Sequence, residues 1–337
     1  MSRVTISDVA HAAGVSKGAV SFALNDRPGV SEQTRDHVKR VARELGWTPN
    51  MAAVALSVRQ ARAVGLVIGR PTETFTGERF FMQFIAGIER VLTARSRNLV
   101  LKFVGGVEEE MDSYRQWWSE RRVDGVILTD PRVDDPRPEL LEKLGLPGVL
   151  TGTQQPTSLP RVLVDDGAAM CRLVDHMAEQ GHTRLAHVSG STDLAHTRRR
   201  AEAFTQRCAE LGIVVVPVAS TDFLEESGRA ATETLLGSDA PPSGIIFDNE
   251  VLMMGGLIAI AEAAVSIPQD VAIASFEDSP MCHIVRPQIT ALSRDPADLG
   301  AKAATLLLDI LDGHDPTPVA EPTMELSLRG STVPGLS

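Results

Sequence analysis

The chain has 337 residues, 43% hydrophobic and 23% charged, which suits about two globular domains with room for a small extra module. No apolar run reaches the roughly eighteen residues of a membrane span, and Met1 to Asp8 lacks the apolar core and cleavage site of a signal peptide. Cys171, Cys208 and Cys282 lie far apart, which excludes a CxxC zinc site or a disulfide framework and predicts a cytoplasmic protein without metal or cofactor.

The net charge of −11 is unevenly spread: residues 1–60 hold eight Lys and Arg against five Asp and Glu, whereas the remainder is acidic. Because distant charge is screened beyond about 8–10 Å, a basic head on an acidic body is compatible with a nucleic-acid partner.

In chain order, Ile6, Val9, Ala10 and Ala13 recur at helical spacing and Gly14 supplies a left-handed stop. Ser16 is a suitable N-cap for a second helix from Lys17 to Leu24, which Asn25-Asp26-Arg27-Pro28-Gly29 ends in a turn. Ser31 caps a third helix, Glu32 to Leu45, with Val38, Val41, Ala42 and Leu45 on its apolar face and Gly46 as its stop. Short helix, glycine turn, short helix is the helix-turn-helix pattern, whose second helix enters the major groove. With Val20 and Leu24 buried, Lys17, Gly18, Ser21 and Phe22 form the exposed face of that helix. Lys17 is placed to donate to guanine O6 and N7, and Ser16, Ser21, Asn25 and Thr34 to contact phosphates. Phe22 either touches a thymine methyl or completes the small core. Gly18 reads either as a close approach of backbone to DNA or as a neutral substitution, since glycine costs a helix about 1 kcal/mol relative to alanine.

The order Thr5-Ile6-Ser7-Asp8-Val9-Ala10, Ala13-Gly14-Val15-Ser16, Val20-Ser21, Val30-Ser31, Thr34-Arg35 and Glu44-Leu45-Gly46-Trp47-Thr48-Pro49-Asn50 resembles the headpiece of the LacI/GalR family of repressors. That resemblance adds Thr5, Asn50 and Ala53 to the DNA contacts. The family usually has arginine where Phe22 stands, so base preferences do not transfer. Residues 51–57, Met-Ala-Ala-Val-Ala-Leu-Ser, are similar to the family's hinge helix, which folds in the minor groove beside its twin with Leu56 wedged between base steps; the alternative is an Ala-rich linker.

From Val64 onward, apolar runs alternate with helical patterns such as Phe80–Ala94. Val64–Ile68, Leu99–Leu101, Gly125–Leu128 and Gly148–Leu150 read as buried parallel strands, followed by a second set at Leu185–Val188, Val214–Val216, Gly244–Phe247 and Val271–Ala274. The implied architecture is two doubly wound α/β lobes with a crevice at the carboxyl ends of their strands, resembling periplasmic sugar-binding proteins. The expected layout is a helix-turn-helix domain at 1–48, hinge and linker at 49–61, and an effector-binding and dimerisation core at 62–334. Within the core, lobe 1 is expected over about 62–160 and 290–320, including Thr290–Ser293 and the helix Asp298–Leu311, and lobe 2 over about 161–289 and 321–334. The family resemblance runs on through Leu328-Arg329-Gly330-Ser331-Thr332.

Phe80 and Phe81 are expected to line one wall of the cleft. The resemblance places the family's ligand-binding arginine at Arg200, a ring-stacking aromatic at Phe223, and polar groups at Asn249 and Glu277. The family often has an acidic residue where Thr151 or Gly152 falls and a shorter Asp where Glu277 stands, which puts the identity of the bound sugar out of reach. His182 is expected to order a loop.

A homodimeric repressor binding a pseudo-palindromic operator under small-molecule control, by a sugar or sugar derivative, unites these features. A ligand-binding module without DNA regulation, or a corepressor-dependent regulator answering a non-sugar metabolite, are the alternatives. No GxSxG, P-loop, HExxH or metal-spaced cluster supports an enzyme, and the short tail after Arg329 has no heptad run to support a tetramer.

Overall fold

The computed structural model describes residues 4–26, 28–47, 60–70, 79–154, 156–317 and 319–333. The chain forms two compact units, residues 1–61 and 62–337.

The first unit is built from α1 (Ile6–Ala13), α2 (Lys17–Leu24) and α3 (Glu32–Glu44). Each begins on a short polar side chain. Thr5 and Asp8 form a reciprocal capping box, Ser16 accepts from the Ala19 amide at 3.1 Å, and Ser31 accepts from the Thr34 amide at 3.2 Å. Gly14 closes α1 at φ 65°, a backbone that glycine adopts without strain. The core is small: Val9, Ala10, Ala13, Val20, Ala23, Val38, Val41 and Ala42, with Val4, Val15, Leu24, Val30 and Trp47 against it. Two residues expected in this core lie outside it, since Ile6 is 38% and Leu45 39% exposed. Ile6 opens the first turn of α1, and Leu45 is the cap residue of α3 rather than part of its apolar face. Asp26 binds Arg35 and Lys39 at 3.0 and 2.7 Å, fastening the α2–α3 turn to α3.

The second unit contains two six-stranded sheets. The first orders β11 (Val319–Ala320), β5 (Arg161–Leu163), β4 (Gly148–Thr151), β3 (Gly125–Leu128), β1 (Ala63–Ile68) and β2 (Asn98–Phe103), all parallel. The second orders β12 (Glu325–Ser327), β10 (Thr290–Ser293), β9 (Ala272–Ser275), β8 (Gly244–Phe247), β6 (Arg184–Val188) and β7 (Val214–Val215), with only β12 antiparallel. The helices are α4 (Arg79–Ala94), α5 (Val107–Glu120), α6 (Arg137–Leu144), α7 (Asp166–Glu179), α8 (Ala195–Leu211), α9 (Glu225–Leu236), α10 (Glu250–Glu262), α11 (Pro280–Ile284) and α12 (Pro296–Leu311). Central strands such as β1, β3 and β8 are buried at every residue, whereas β2 and β7, expected to be buried, are partly exposed because each is paired on one side only.

The chain passes between the lobes after β5, after β10 and after β11. This corrects the expected boundaries. Thr290–Ser293 joins β9 and β12 in the second sheet, and the chain returns to the first lobe only from the following α12, which packs on α4 and β4. Arg161–Leu163 stays with β4 in the first sheet, so the first crossing falls just past 163. The final residues complete the second lobe: the Ser331 hydroxyl donates to Ile273 O and accepts from the Thr290 amide, and the Thr332 hydroxyl meets Thr290 Oγ1 at 2.6 Å and His176 Nε2 at 2.8 Å.

The α4–α12 contact is made backbone to backbone. A Cβ on Gly87 would lie 1.9 Å from Ala297 O, and one on Gly300 would lie 2.1 Å from Phe84 O. Gly87→Val should therefore lower stability by about 1–3 kcal/mol or more, as overpacked cores do, although valine outranks glycine in helix propensity. Urea unfolding of the variant with an unchanged or raised midpoint would contradict this packing.

Candidate functional site

On α2 the polar positions sort by what already holds them. Lys17 and Gly18 are exposed in the first turn, and Phe22 is 40% exposed, so it does not complete the core. Its ring leans on the turn that follows, 3.0 Å from where a Gly29 Cβ would stand. A Cβ on Gly18 would meet only Ser16 Oγ at 3.8 Å, so nothing within the chain requires glycine there. Ser16 and Thr5 cap their helices, Thr34 Oγ1 meets Ser31 Oγ at 2.8 Å, and Asn25 donates its side-chain amide to Ser21 O at 2.8 Å. Ser21 is half-buried. Asn50, Ala53 and Leu56 lie outside the described residues.

In the core, Phe80, Thr151, Arg200, Phe223, Asn249 and Glu277 line one cavity of 50 Å³ at the carboxyl ends of the strands. Phe81 does not. It is wholly buried in the first lobe, edge-on to Phe80 at 5.4 Å, and lies under the Arg70 guanidinium at 5.3 Å. Adjacent residues of a helix point about 100° apart, so only one of this pair faces the cleft. A larger cavity of 530 Å³ adjoins the first, sharing Phe80, Asn249, Glu277 and Arg294.

Arg200 is the most constrained group in the site. From α8 it reaches Asp166 with Nε and Nη2 at 2.9 and 2.8 Å, approaches Asp248 Oδ1 at 3.5 Å, and stacks on Phe276 at 3.7 Å. All of these partners are buried. Asp248, just past β8, also accepts from the Gly190 amide at 3.0 Å and meets His187 Nε2 at 2.9 Å. Burial alone would raise its carboxyl pKa, but His187 and Arg200 outweigh that and hold it well below the usual carboxylate range. Phe223 sits at φ 69°, and its ring fills the space where a Gly190 Cβ would stand, so the aromatic depends on that glycine. The Asn249 side chain caps α10, accepting from the Leu252 amide at 3.0 Å, and Thr151 donates to Leu128 O at 3.1 Å.

Several cavity residues were missed, among them Arg70, Asp130, Arg294 and His196. Arg70 follows β1 and pairs with Asp130, two residues past β3, at 2.5 Å, while stacking over Phe223 at 4.9 Å. Arg294, at the β10–α12 crossing, donates to Glu277 at 2.6 Å and stacks over Phe80 at 4.5 Å. His196 opens α8; burial and the neighbouring Arg200 charge push its pKa down to about 4. The strand ends carried the signal for Arg70 and Asp130, because ligands in such folds bind just beyond them. Beside the cavity the lobes are stitched together, with Ala195 N donating to Pro131 O at 2.7 Å and Val133 N to Asp193 O at 3.1 Å. His182 meets Ser243 Oγ at 3.2 Å in the loop region before β6.

Residues 5–50 match the family described as bacterial regulatory proteins, lacI family, and residues 174–332 match a periplasmic binding protein-like domain. A solved LacI family transcriptional regulator from Bifidobacterium animalis subsp. lactis is 33% identical, covers 82% of this chain and 99% of its own, and superposes with a TM-score of 0.75. This chain belongs to the LacI family of transcriptional regulators. The HTH-type transcriptional regulator CelR of Thermobifida fusca is 28% identical over 324 residues, 94% of each chain. A solved CelR–cellobiose complex covers 98% of this chain and 100% of its own at 27% identity, with a TM-score of 0.72. In this LacI family member the three-helix unit is the helix-turn-helix domain, and the two lobes are the periplasmic-binding-protein-like core. Among the described residues no helix is long and apolar enough to cross a membrane, and no cluster of three His, Cys, Asp or Glu could hold a metal ion.

Two outcomes follow from this geometry. Arg200→Met leaves Asp166 and Asp248 buried without their cation and should cost the core about 3–5 kcal/mol in urea unfolding. Arg200→Lys should recover little, because an ammonium cannot both span two carboxylates and stack on Phe276; recovery to the parent midpoint would refute the bridging role. His196 is neutral in the folded chain down to about pH 4, whereas the unfolded chain protonates it below 6.5. Its stabilisation is thus complete above pH 6.5 and fades as pH falls toward 4. Burial lowers His176 and His182 in the same direction, so the test is a difference. The pH 4–6.5 slope of stability should be shallower in His196→Gln than in the parent, and equal slopes would exclude a depressed His196.

Proposed function

We propose that this regulator is a cytoplasmic, homodimeric repressor that binds a pseudo-palindromic operator through α2 and answers a small molecule, a sugar or sugar derivative, in the cleft between its core lobes. The observation that carries this reading is the convergence of Arg200, Phe223, Asn249, Glu277 and Phe80 from both lobes on one cavity of a chain that also carries a helix-turn-helix unit. CelR, complexed with cellobiose in its solved structure, supports a carbohydrate in the cleft. The paired charges suit a polyhydroxylated ligand, since Arg70–Asp130 and Arg294–Glu277 present fixed donors and acceptors beside the Phe80 and Phe223 rings. The cleft is a binding site rather than a catalytic one. A change in lobe arrangement that shifts operator affinity about 100-fold requires roughly 2.7 kcal/mol of coupling, within the range of a rigid-body rearrangement.

Lys17 is the base-reading donor and Phe22 an apolar contact, both on α2, while Ser16, Ser21, Asn25 and Thr34 take phosphates and Thr5, Asn50, Ala53 and Leu56 complete the set. Operator selection from a random palindrome library, followed by anisotropy titration at fixed salt, tests the reading. Lys17→Ala should flatten the preference between operator variants by about 1–3 kcal/mol at one position while retaining nonspecific binding. Failure of the parent protein to prefer any palindrome over random DNA, with and without a sugar panel, would refute the repressor assignment.

A further inference from the structure

The segment that leaves β3 has two roles within a few residues. Asp130 pairs with Arg70 in the cleft, and the next three residues meet the second lobe, Arg132 bridging to Leu194 between the Pro131 and Val133 hydrogen bonds. The backbone needed for both is unusual. Asp130 and Asp134 are left-handed, at φ 49° and 54°, a conformation that residues other than glycine keep only where their surroundings hold it.

Behind this segment lies a buried charged cluster. Arg137, in the first turn of α6, donates to Thr129 O and to Asp130 O, each at 2.9 Å. The same guanidinium binds Asp135 at 2.7 Å and Glu110 of α5 at 2.8 Å, and Glu110 also accepts from the Tyr114 hydroxyl. Asp135 in turn accepts from the Arg132 amide at 3.2 Å. The cluster reaches the other side of the cleft pair as well. Arg132 donates to Gly69 O at 3.1 Å, and a Cβ on Gly69 would lie 2.7 Å from Glu110 Oε2, so the carboxylate rests on the backbone just before Arg70. Both partners of the Arg70–Asp130 pair are thus gripped from behind by side chains that line neither cavity of the cleft.

Stability alone does not call for ions here. Burial raises the Glu110 carboxyl pKa even beside Arg137, and apolar side chains of similar volume commonly fill such sites at no loss. What the guanidinium supplies and an apolar group cannot is a planar fork that holds two successive carbonyls and two carboxylates at once.

We propose that Arg137 is a positioning residue for the regulatory cleft: its buried fork sets the turn at Asp130, and through that turn both the Arg70–Asp130 pair and the contact between the lobes. The inference deepens the reading of the cleft as an effector site by naming the group that fixes its first-lobe wall from outside the cavity. A ligand that moves Asp130 acts, through the same turn, on the lobe contact one residue away.

The test is hydrogen exchange of the full-length protein, read by mass spectrometry without DNA or ligand. The segments compared are 131–133 and 193–195, with β3 and β4 as reference. Arg137→Lys keeps the charge and loses the fork, so both contact segments should exchange at least about tenfold faster while β3 and β4 match the parent. Asp135→Asn leaves the two carbonyl contacts and the Glu110 pair in place and should accelerate the same segments by a smaller factor, which keeps the test readable if the lysine variant does not fold. Gly87→Val is the control, because it strains the same lobe at the α4–α12 contact; segments 131–133 and 193–195 should exchange in it as in the parent. Parent-like exchange of those segments in both cluster variants, equal acceleration of contact and strand segments in Arg137→Lys, or the same acceleration in Gly87→Val would overturn the positioning role. The measurement uses neither operator nor sugar, so the predicted pattern in a protein that prefers no palindrome would sustain Arg137 and remove the repressor assignment alone.

Discussion

Arg200 fixes the regulatory half of this molecule. One guanidinium joins the start of α7, the end of β8 and the residue after β9, through Asp166, Asp248 and Phe276. The guanidinium and the two carboxylates would each be costly to bury alone. Together they neutralise one another and leave a rigid polar floor on the second lobe. The cavity residues Asn249 and Glu277 follow directly from the segments this floor holds, one residue past Asp248 and one past Phe276.

Opposite that floor the first lobe contributes a different kind of surface. Its cleft groups, Arg70 with Asp130 and Phe80, project from strand ends and a helix whose packing is set by glycine contacts with no side chain between the backbones. A lobe packed this tightly has little room to deform internally. Beside the cleft the two lobes meet through the Pro131–Val133 and Asp193–Ala195 stitch, which is local and backbone-mediated.

Much of this was legible in the amino-acid sequence where the signal was local. Thr5, Ser16, Ser31 and Gly14 mark helix ends by their own chemistry, and the apolar runs of the central strands read correctly because both of their faces are covered. What could not be read were choices made at long range. Thr-Ala-Leu-Ser at 290–293 fits either sheet, and only its pairing with Ala274 and Ser327 decides. Strands of two or three residues, such as β5, β11 and β12, carry no period. In the site, the residues suggested by family resemblance converge on the cavity, whereas of the two aromatics expected from their place after the first strand only Phe80 faces it and Phe81 is buried. Arg70 and Asp130 were recoverable from strand ends. Arg294 was not, because its place depends on where the chain changes lobes.

The C-terminal residues have a bearing on how this protein is made. Ser331 and Thr332 hydrogen-bond to Ile273, Thr290 and His176, and Arg329 binds Asp278 at 2.6 Å, so the second lobe is closed by residues that follow the rest of it in sequence. The three-helix unit, complete by Trp47, has all of its core partners nearby in sequence. Synthesis therefore completes the helix-turn-helix unit long before the second lobe can close, and during that interval the nascent chain carries a finished head on an unfinished core.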